Sequence, residues 1–190
     1  MSLTINNTWT IFLDRDGVIN ERLPDDYVKN VEQFKFVDGA LEAIAIFTKL
    51  FGQIIVVSNQ QGIGKGLMTY TDLENVHTHM VTEIVNAGGK IDKIYVSPYL
   101  HSQKHFTRKP SVGMGIQAKR DFRMISFRKS IMVGDSVSDM VFGKRLGMKT
   151  VFLGDLNQIK CRPDLIDFIY HDLLTFARKL IPADHSIEPS

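Results

Sequence analysis

The 190-residue chain predicts an α/β fold, a Rossmann-like parallel β-sheet flanked by helices and carrying no large cap domain. Three observations predict it. Short apolar runs alternate along the chain with stretches of helical periodicity. The runs are apolar throughout rather than at every second residue, as strands covered on both faces require. The residues that follow them are polar, charged or glycine, as expected at the carboxyl edge where such sheets bind ligands.

Thr10–Leu13 is the first strand. Leu41, Ile44, Ala45 and Phe47 to Phe51 then give one apolar helix face, with Asp38 as its N-cap. Ile54–Val57 is the second strand. Leu73, Val76, Met80, Val81, Ile84 and Val85 recur at helical spacing, and Gly88-Gly89 stops that helix. Ile94–Val96 is the third strand, followed by a helix over Gly113 to Arg123. Ile131–Val133 is the fourth, followed by a helix over Val137 to Leu146 that Gly147 ends. Thr150–Leu153 and Phe168–Tyr170 complete the strands, Asp172 to Leu180 is a last helix, and Pro182–Ser190 is a polar, fraying tail. Glu21–Val37 and Pro98–Val112 fit neither element. Loops of that length in a compact domain point to function, and neither can hold a large cap.

Hydrophobic residues make up 44% and charged residues 23%, which excludes a long disordered chain. The length fits one domain over residues 1–190. Lys+Arg minus Asp+Glu is 23 − 21 = +2, so charge argues for neither a nucleic-acid nor a membrane-surface protein. The single cysteine, Cys161, excludes an internal disulfide and a thiolate-rich metal site. No apolar run reaches the ~18–20 residues of a membrane span, and the first residues lack a signal peptide's pattern. A cytoplasmic monomer is the expectation.

The strand ends carry the chemistry. The first strand runs into Asp14-Arg15-Asp16-Gly17, the second into Ser58-Asn59-Gln60-Gln61-Gly62, and the fourth into Gly134-Asp135, with Asp139 one helical turn on. The loop after the third strand carries Arg108-Lys109-Pro110. Asp14 and Asp16 lie close enough to repel, so they call for a cation or a shared proton. Mg²⁺ held by carboxylates and substrate phosphate would resolve that. Asp14 can then serve as nucleophile and Asp16 as the acid for the leaving oxygen. For this stretch alone an acidic capping turn is an equal alternative. The Ser58 hydroxyl and the amides of Asn59 and Gln60 can hold phosphate oxygens. Gly62, Gly64 and Gly66 give a flexible loop without the spacing of a nucleotide P-loop. Lys109 can neutralise a transferring phosphoryl group, and Arg108 can fork onto a second anion. Each cluster alone has a bland reading as a surface pair or a cap; their coincidence at successive strand ends does not.

FLDRDGVIN, VVSNQQGIGKG, RKP and MVGDSVSDM, in this order, resemble the four motifs of the haloacid dehalogenase (HAD) superfamily of Mg²⁺-dependent phosphatases. DRDGVIN, SNQxGIGxG and RKPxxGM are similar to the group that contains heptose bisphosphate phosphatases and histidinol-phosphatases. The resemblance implies Asp14 as nucleophile and Asp16 as general acid and base. It implies Mg²⁺ on the Asp14 carboxylate, the Asp16 carbonyl and Asp135, and the phosphoryl group on Ser58 and Lys109. Asn59, Gln60 and Arg108 would contact substrate, and Asp139 would orient Lys109 or outer-shell water. Many members also have a zinc loop; here its ligand positions hold Ser97, Tyr99, His105 and Thr107, so no structural zinc is expected. His101 and His105 read as loop histidines, and Tyr99 and Phe106 are the candidates to pack this loop in zinc's place.

The expected function is phosphomonoester hydrolysis through an aspartyl-phosphate, on a sugar bisphosphate such as D-glycero-D-manno-heptose 1,7-bisphosphate. Arg108 and the Glu21–Tyr27 loop would recognise its second phosphate. LPDDYV is closer to the histidinol-phosphatases and GIGKG to the heptose enzymes, so histidinol phosphate is the alternative. A polynucleotide 3′-phosphatase is another, and would need a patch from Lys104, Arg108, Lys109, Lys119, Arg120 and Arg123. A catalytically retired binding protein is the remaining class, against which all the motif residues stand.

Overall fold

A computed structural model of the protein describes residues 4–24, 26–155 and 162–181; the 182–190 tail and Cys161 lie outside them. Six strands, β1 (Thr10–Leu13), β2 (Gln53–Asn59), β3 (Lys93–Ser97), β4 (Ser130–Gly134), β5 (Lys149–Leu153) and β6 (Phe168–Tyr170), form one parallel sheet in the order β3-β2-β1-β4-β5-β6. The chain leaves β1 towards β2 and β3 and later returns to β1's other side at β4. That reversal opens a crevice at the carboxyl ends of β1 and β4.

The helices are α1 (Ala40–Leu50), α2 (Gln61–Gly64), α3 (Tyr70–Asn86), α4 (Gly113–Asp121), α5 (Val137–Leu146) and α6 (Leu173–Lys179). Alternate strand residues feed two cores. Ile11, Leu13, Val56 and Val133 pack with α1, α3 and α6 through Phe47, Met80 and Phe176. Phe12, Ile55, Val57 and Met132 pack with α4 and α5 through Met114 and Phe142. This double cover is why the strands read as continuous apolar runs. Among the described residues, the two long connections carry nothing larger than 3-10 turns, Val31–Gln33 and His101–Gln103.

Two expectations need correction. The N-cap of α1 is Gly39 at φ +74, with no side-chain cap, and not Asp38. A Cβ there would come within 2.7 Å of Leu174 on α6, so packing of α1 on α6 decides the residue. The stretch after β2 is not a flexible glycine loop: Gly62 and Gly64 belong to α2, and a Cβ on Gly64 would meet the Pro98 carbonyl oxygen at 2.5 Å. The long helix α3 starts earlier than its apolar spacing shows, because Thr69 and Asp72 form a capping box ahead of the first apolar contact.

The α1 start gives a direct test. Gly39→Ala loses about 1–2 kcal/mol to the left-handed backbone, and more to the Leu174 overlap. Asp38→Ala stays within about 0.5 kcal/mol of the parent. Urea unfolding of the two variants measures both.

Candidate active site

The crevice is a cleft of about 670 Å³ whose lining includes Asp14, Asp16, Ser58, Asn59, Arg108 and Lys109. At its floor is the buried ammonium of Lys109. Three oxygens surround it: it pairs with Asp14 Oδ1 at 2.9 Å and Asp139 Oδ1 at 2.6 Å, and it donates to the Val57 carbonyl at 2.7 Å. The first hangs from the end of β1, the second from α5 and the third from β2. Burial works against the Lys109 charge, but Asp139 and Asp14 outweigh it and hold its pKa above the ordinary value.

The backbone of Lys109 is clamped as well. Its N–H donates to Asn59 Oδ1 (2.9 Å), and Asn59 Nδ2 donates back to its carbonyl (3.0 Å). The Asn59 amide is therefore spent on the basic loop, although the residue lines the cleft. Gln60, expected to contact substrate, is buried instead, and its Nε2 donates to Asp16 Oδ2 and to Ser58 Oγ, both at 2.8 Å. The Asn59 amide holds the Lys109 backbone from the cleft wall, and the buried Gln60 amide holds Asp16 and Ser58. Ser58 lines the cleft beside them.

Asp139 is wholly buried, and its second oxygen accepts from Ser136 N (3.2 Å) and Ser136 Oγ (2.5 Å) at the start of α5. Its other oxygen lies 2.6 Å from the Lys109 ammonium.

Four carboxylates in one crevice create an electrostatic problem. Burial, then the charge of Asp139, pushes Asp14 up to about 7 despite Lys109. Burial, reinforced by Asp139, pushes Asp135 up to about 6 despite Arg22. Asp14, Asp135 and Asp139 each bring an oxygen within 4.8 Å of one another. Arg22 Nη2 donates to Asp135 Oδ1 (2.7 Å) and to the Asp16 carbonyl (3.1 Å), so a cationic group already rests on two of these oxygens. The donor set is entirely hard oxygen, and it fits Mg²⁺. Gly17 at φ +91 turns the chain so that a Cβ there would lie 2.0 Å from Asp135 Oδ2, which reserves that space for the carboxylate.

Asp16 behaves oppositely. Burial would raise its pKa, but the Arg15 charge and hydrogen bonds from Arg15, Asn20 and Gln60 outweigh burial and hold it below the usual carboxylate range. Arg15 and Asn20 take Oδ1, and Gln60 alone takes Oδ2.

Arg108 lines the cleft with Lys65 and Arg22. Its Nη1 donates to the Tyr99 carbonyl (3.0 Å), and its Nε is buried with no hydrogen-bond partner. Of these contributors, Arg15, Asn20, Arg22 and Lys65 were not among the residues singled out from the strand ends. The signal for Arg22 was its place in a loop too long for a simple connection. In the loop before Arg108 the Tyr99 and His105 rings stack at 3.4 Å, His105 Nδ1 bonds Thr107 Oγ1 (2.8 Å), and Thr107 Oγ1 donates to Ser97 Oγ (3.1 Å). Tyr99 fills the packing role expected of it; Phe106 is 54% exposed and does not.

A model of the polynucleotide kinase 3 phosphatase family matches residues 11–176. The chain belongs to this family. A D-glycero-alpha-D-manno-heptose-1,7-bisphosphate 7-phosphatase of Mycobacterium bovis is 40% identical over 132 residues, 70% of each chain. One from Campylobacter jejuni is 36% identical over 146 residues, 77% of this chain and 82% of the relative. The crystal structure of the D,D-heptose 1,7-bisphosphate phosphatase from B. bronchiseptica, complexed with magnesium and phosphate, has a TM-score of 0.83 at 26% identity, covering 90% of this chain and 97% of that one. The Rossmann-like HAD fold expected from the motifs is the fold of these relatives.

The raised carboxylates set a pH dependence. Their contribution to stability is present below the ordinary carboxylate pKa of 3.8 and is lost as pH rises through about 6 to 7. Mg²⁺ should therefore raise Tm more at pH 8, where ionised oxygens repel, than at pH 5.5, where protons compete. Arg22→Ala, which frees two oxygens, should lower the Mg²⁺ concentration that gives half the shift. Differential scanning fluorimetry reads both effects.

Proposed function

We propose that the protein is a Mg²⁺-dependent phosphatase that removes the 7-phosphate of a heptose 1,7-bisphosphate. The observation that carries the reading is Asp14 at the cleft floor, half-neutralised by a buried ammonium that Asp139 holds from behind. The family and the named activities of the relatives agree with it.

Asp14, the Asp16 carbonyl and Asp135 would hold the ion, which supplies charge neutralisation for the phosphoryl oxygens when bound. Asp14 Oδ1 is held by Lys109 and by the Arg15 N–H (2.7 Å), so attack on phosphorus falls to Oδ2. The P–O bond to the sugar breaks as the Asp14–phosphorus bond forms, and the sugar oxygen takes a proton from Asp16. Water then attacks the aspartyl-phosphate, gives its proton to Asp16, and releases phosphate and free Asp14. Asp16 Oδ1 accepts three N–H contacts and Oδ2 only the one from Gln60, so the travelling proton belongs on Oδ2. Lys109 and Ser58 cradle the phosphoryl oxygens.

The second anion of the substrate is matched by Arg108, whose guanidinium has no carboxylate partner among the described residues and keeps an unpaired buried Nε. A polynucleotide 3′-end, suggested by the family's description, is the competing substrate. It finds little support in the basic residues: Lys109 is buried, and Lys119 is tied to the carbonyls of Arg123 and Ile125 beyond the distal end of α4. Histidinol phosphate, with a single phosphate, would leave Arg108 unmatched.

Phosphate release with Mg²⁺ from both heptose 1,7-bisphosphate anomers, histidinol phosphate and a 3′-phosphorylated oligonucleotide tests the assignment. A heptose bisphosphate should win by at least about tenfold in kcat/KM, roughly 1.4 kcal/mol of transition-state binding. Preference for the oligonucleotide overturns the substrate. Asp14→Asn should reduce release to background in a protein that still folds by circular dichroism; retained turnover would remove Asp14 as nucleophile.

A further inference from the structure

Arg15 stands between the two aspartates and is fully buried despite its charge. Its Nε (3.3 Å) and Nη2 (2.7 Å) donate to Asp16 Oδ1. Its Nη1 reaches the opposite way, to His77 Nε2 on α3 at 3.3 Å. Arginine has no acceptor atom, so the imidazole must accept this bond, with its own proton on Nδ1. A protonated ring would set two cations together in the interior. Burial, then the Arg15 charge, accordingly pushes the His77 pKa down to about 3.

We propose that His77 is a positioning residue for the Asp16 proton transfer, acting through Arg15. Arg15 grips Oδ1 of Asp16, so that Oδ2, which accepts only from Gln60, is the oxygen left for the proton transfer. A planar guanidinium held at one edge alone can still swing about its long side chain; the lone pair of His77 pins the opposite edge. The Arg15 backbone is fixed separately, through its N–H to Asp14 Oδ1 and its carbonyl to the amides of Ile19 and Asn20. His77 therefore controls the head group and not the turn. Nothing in the proposed chemistry touches His77 directly, so its loss should spare substrate binding and slow only the proton-dependent step. The inference rests on the phosphatase reading above.

The test is His77→Ala against His77→Gln, whose side-chain carbonyl restores an acceptor. His77 also lines a groove of about 510 Å³ beside α3, which leaves room for either replacement. Single-turnover cleavage of an alkyl phosphate and of p-nitrophenyl phosphate separates the steps, because nitrophenolate leaves without a proton. His77→Ala should slow alkyl cleavage by on the order of 10–100-fold, the lower part of what general acid catalysis supplies. Nitrophenyl cleavage and both KM values should change little, and His77→Gln should recover most of the rate. Equal losses on both esters, or no loss, overturn the inference. In the parent protein, imidazole ¹⁵N shifts should show a neutral Nδ1–H ring from pH 5 to 8; an Nε2–H or protonated ring overturns it even if the variants fail to fold. Absence of phosphate release by the parent from every ester would instead overturn the phosphatase reading.

Discussion

The buried Lys109 ammonium is the interaction on which the site depends. A charge in the interior persists only if its partners are themselves fixed, because desolvation costs several kcal/mol and loose pairing does not offset it. Here the partners are a strand end, a helix start and a strand carbonyl: Asp14 after β1, Asp139 in α5 and Val57 in β2. Each is placed by the parallel sheet and not by the loop that carries Lys109. Holding the lysine thus holds three elements in one register, and the reciprocal Asn59 amide bonds bring the basic loop into the same frame.

The same arrangement creates the reactivity. Lys109 makes three oxygens for one charge acceptable, but it leaves Asp14 and Asp135 beside Asp139 with too little positive charge between them. Both are pushed up towards neutral pH, first by burial. Asp16 is two residues from Asp14 yet is driven the other way by Arg15, Asn20 and Gln60. Without a cation these directions are the reverse of what a nucleophile and a proton donor require, so an ionised Asp14 calls for the charge a divalent cation would bring. The division comes from what stands behind each carboxylate, since the two belong to the same turn.

Much of this was legible in the chain. Six strands appear as apolar runs because both sheet faces are covered, and Asp14, Asp16, Ser58, Lys109 and Asp135 stand where strands end. Of these, Lys109 sits in the loop after β3 and not at the strand's end. What could not be read depends on neighbours distant in sequence. Gly39 caps α1 because Leu174, on the last helix, leaves no space for a Cβ. Asn59 and Gln60 have amides that can meet a ligand or the protein equally well; only the fold shows both spent on Lys109 and Asp16. Arg15 reads as a charge inside an acidic motif, and its burial against a histidine 62 positions away has no local signature.

Charge balance connects the cation to the order of binding. Around the aspartates alone, four carboxylates (Asp14, Asp16, Asp135 and Asp139) oppose three cations (Lys109, Arg15 and Arg22) when all are ionised, an excess of one negative charge at the cluster, with Arg108 and Lys65 also lining the cleft. A phosphate dianion entering that field would be repelled at close range, in surroundings where charge acts more strongly than in water. A divalent cation held there would reverse the sign of that local balance and would compete with Arg22 for Asp135 and the Asp16 carbonyl. Arg22 lines the cleft with Arg108 and Lys65. Metal binding and anion binding would therefore favour one another, since a cation would offset the aspartates that oppose the anion and an anion would offer Arg22 a partner in place of Asp135.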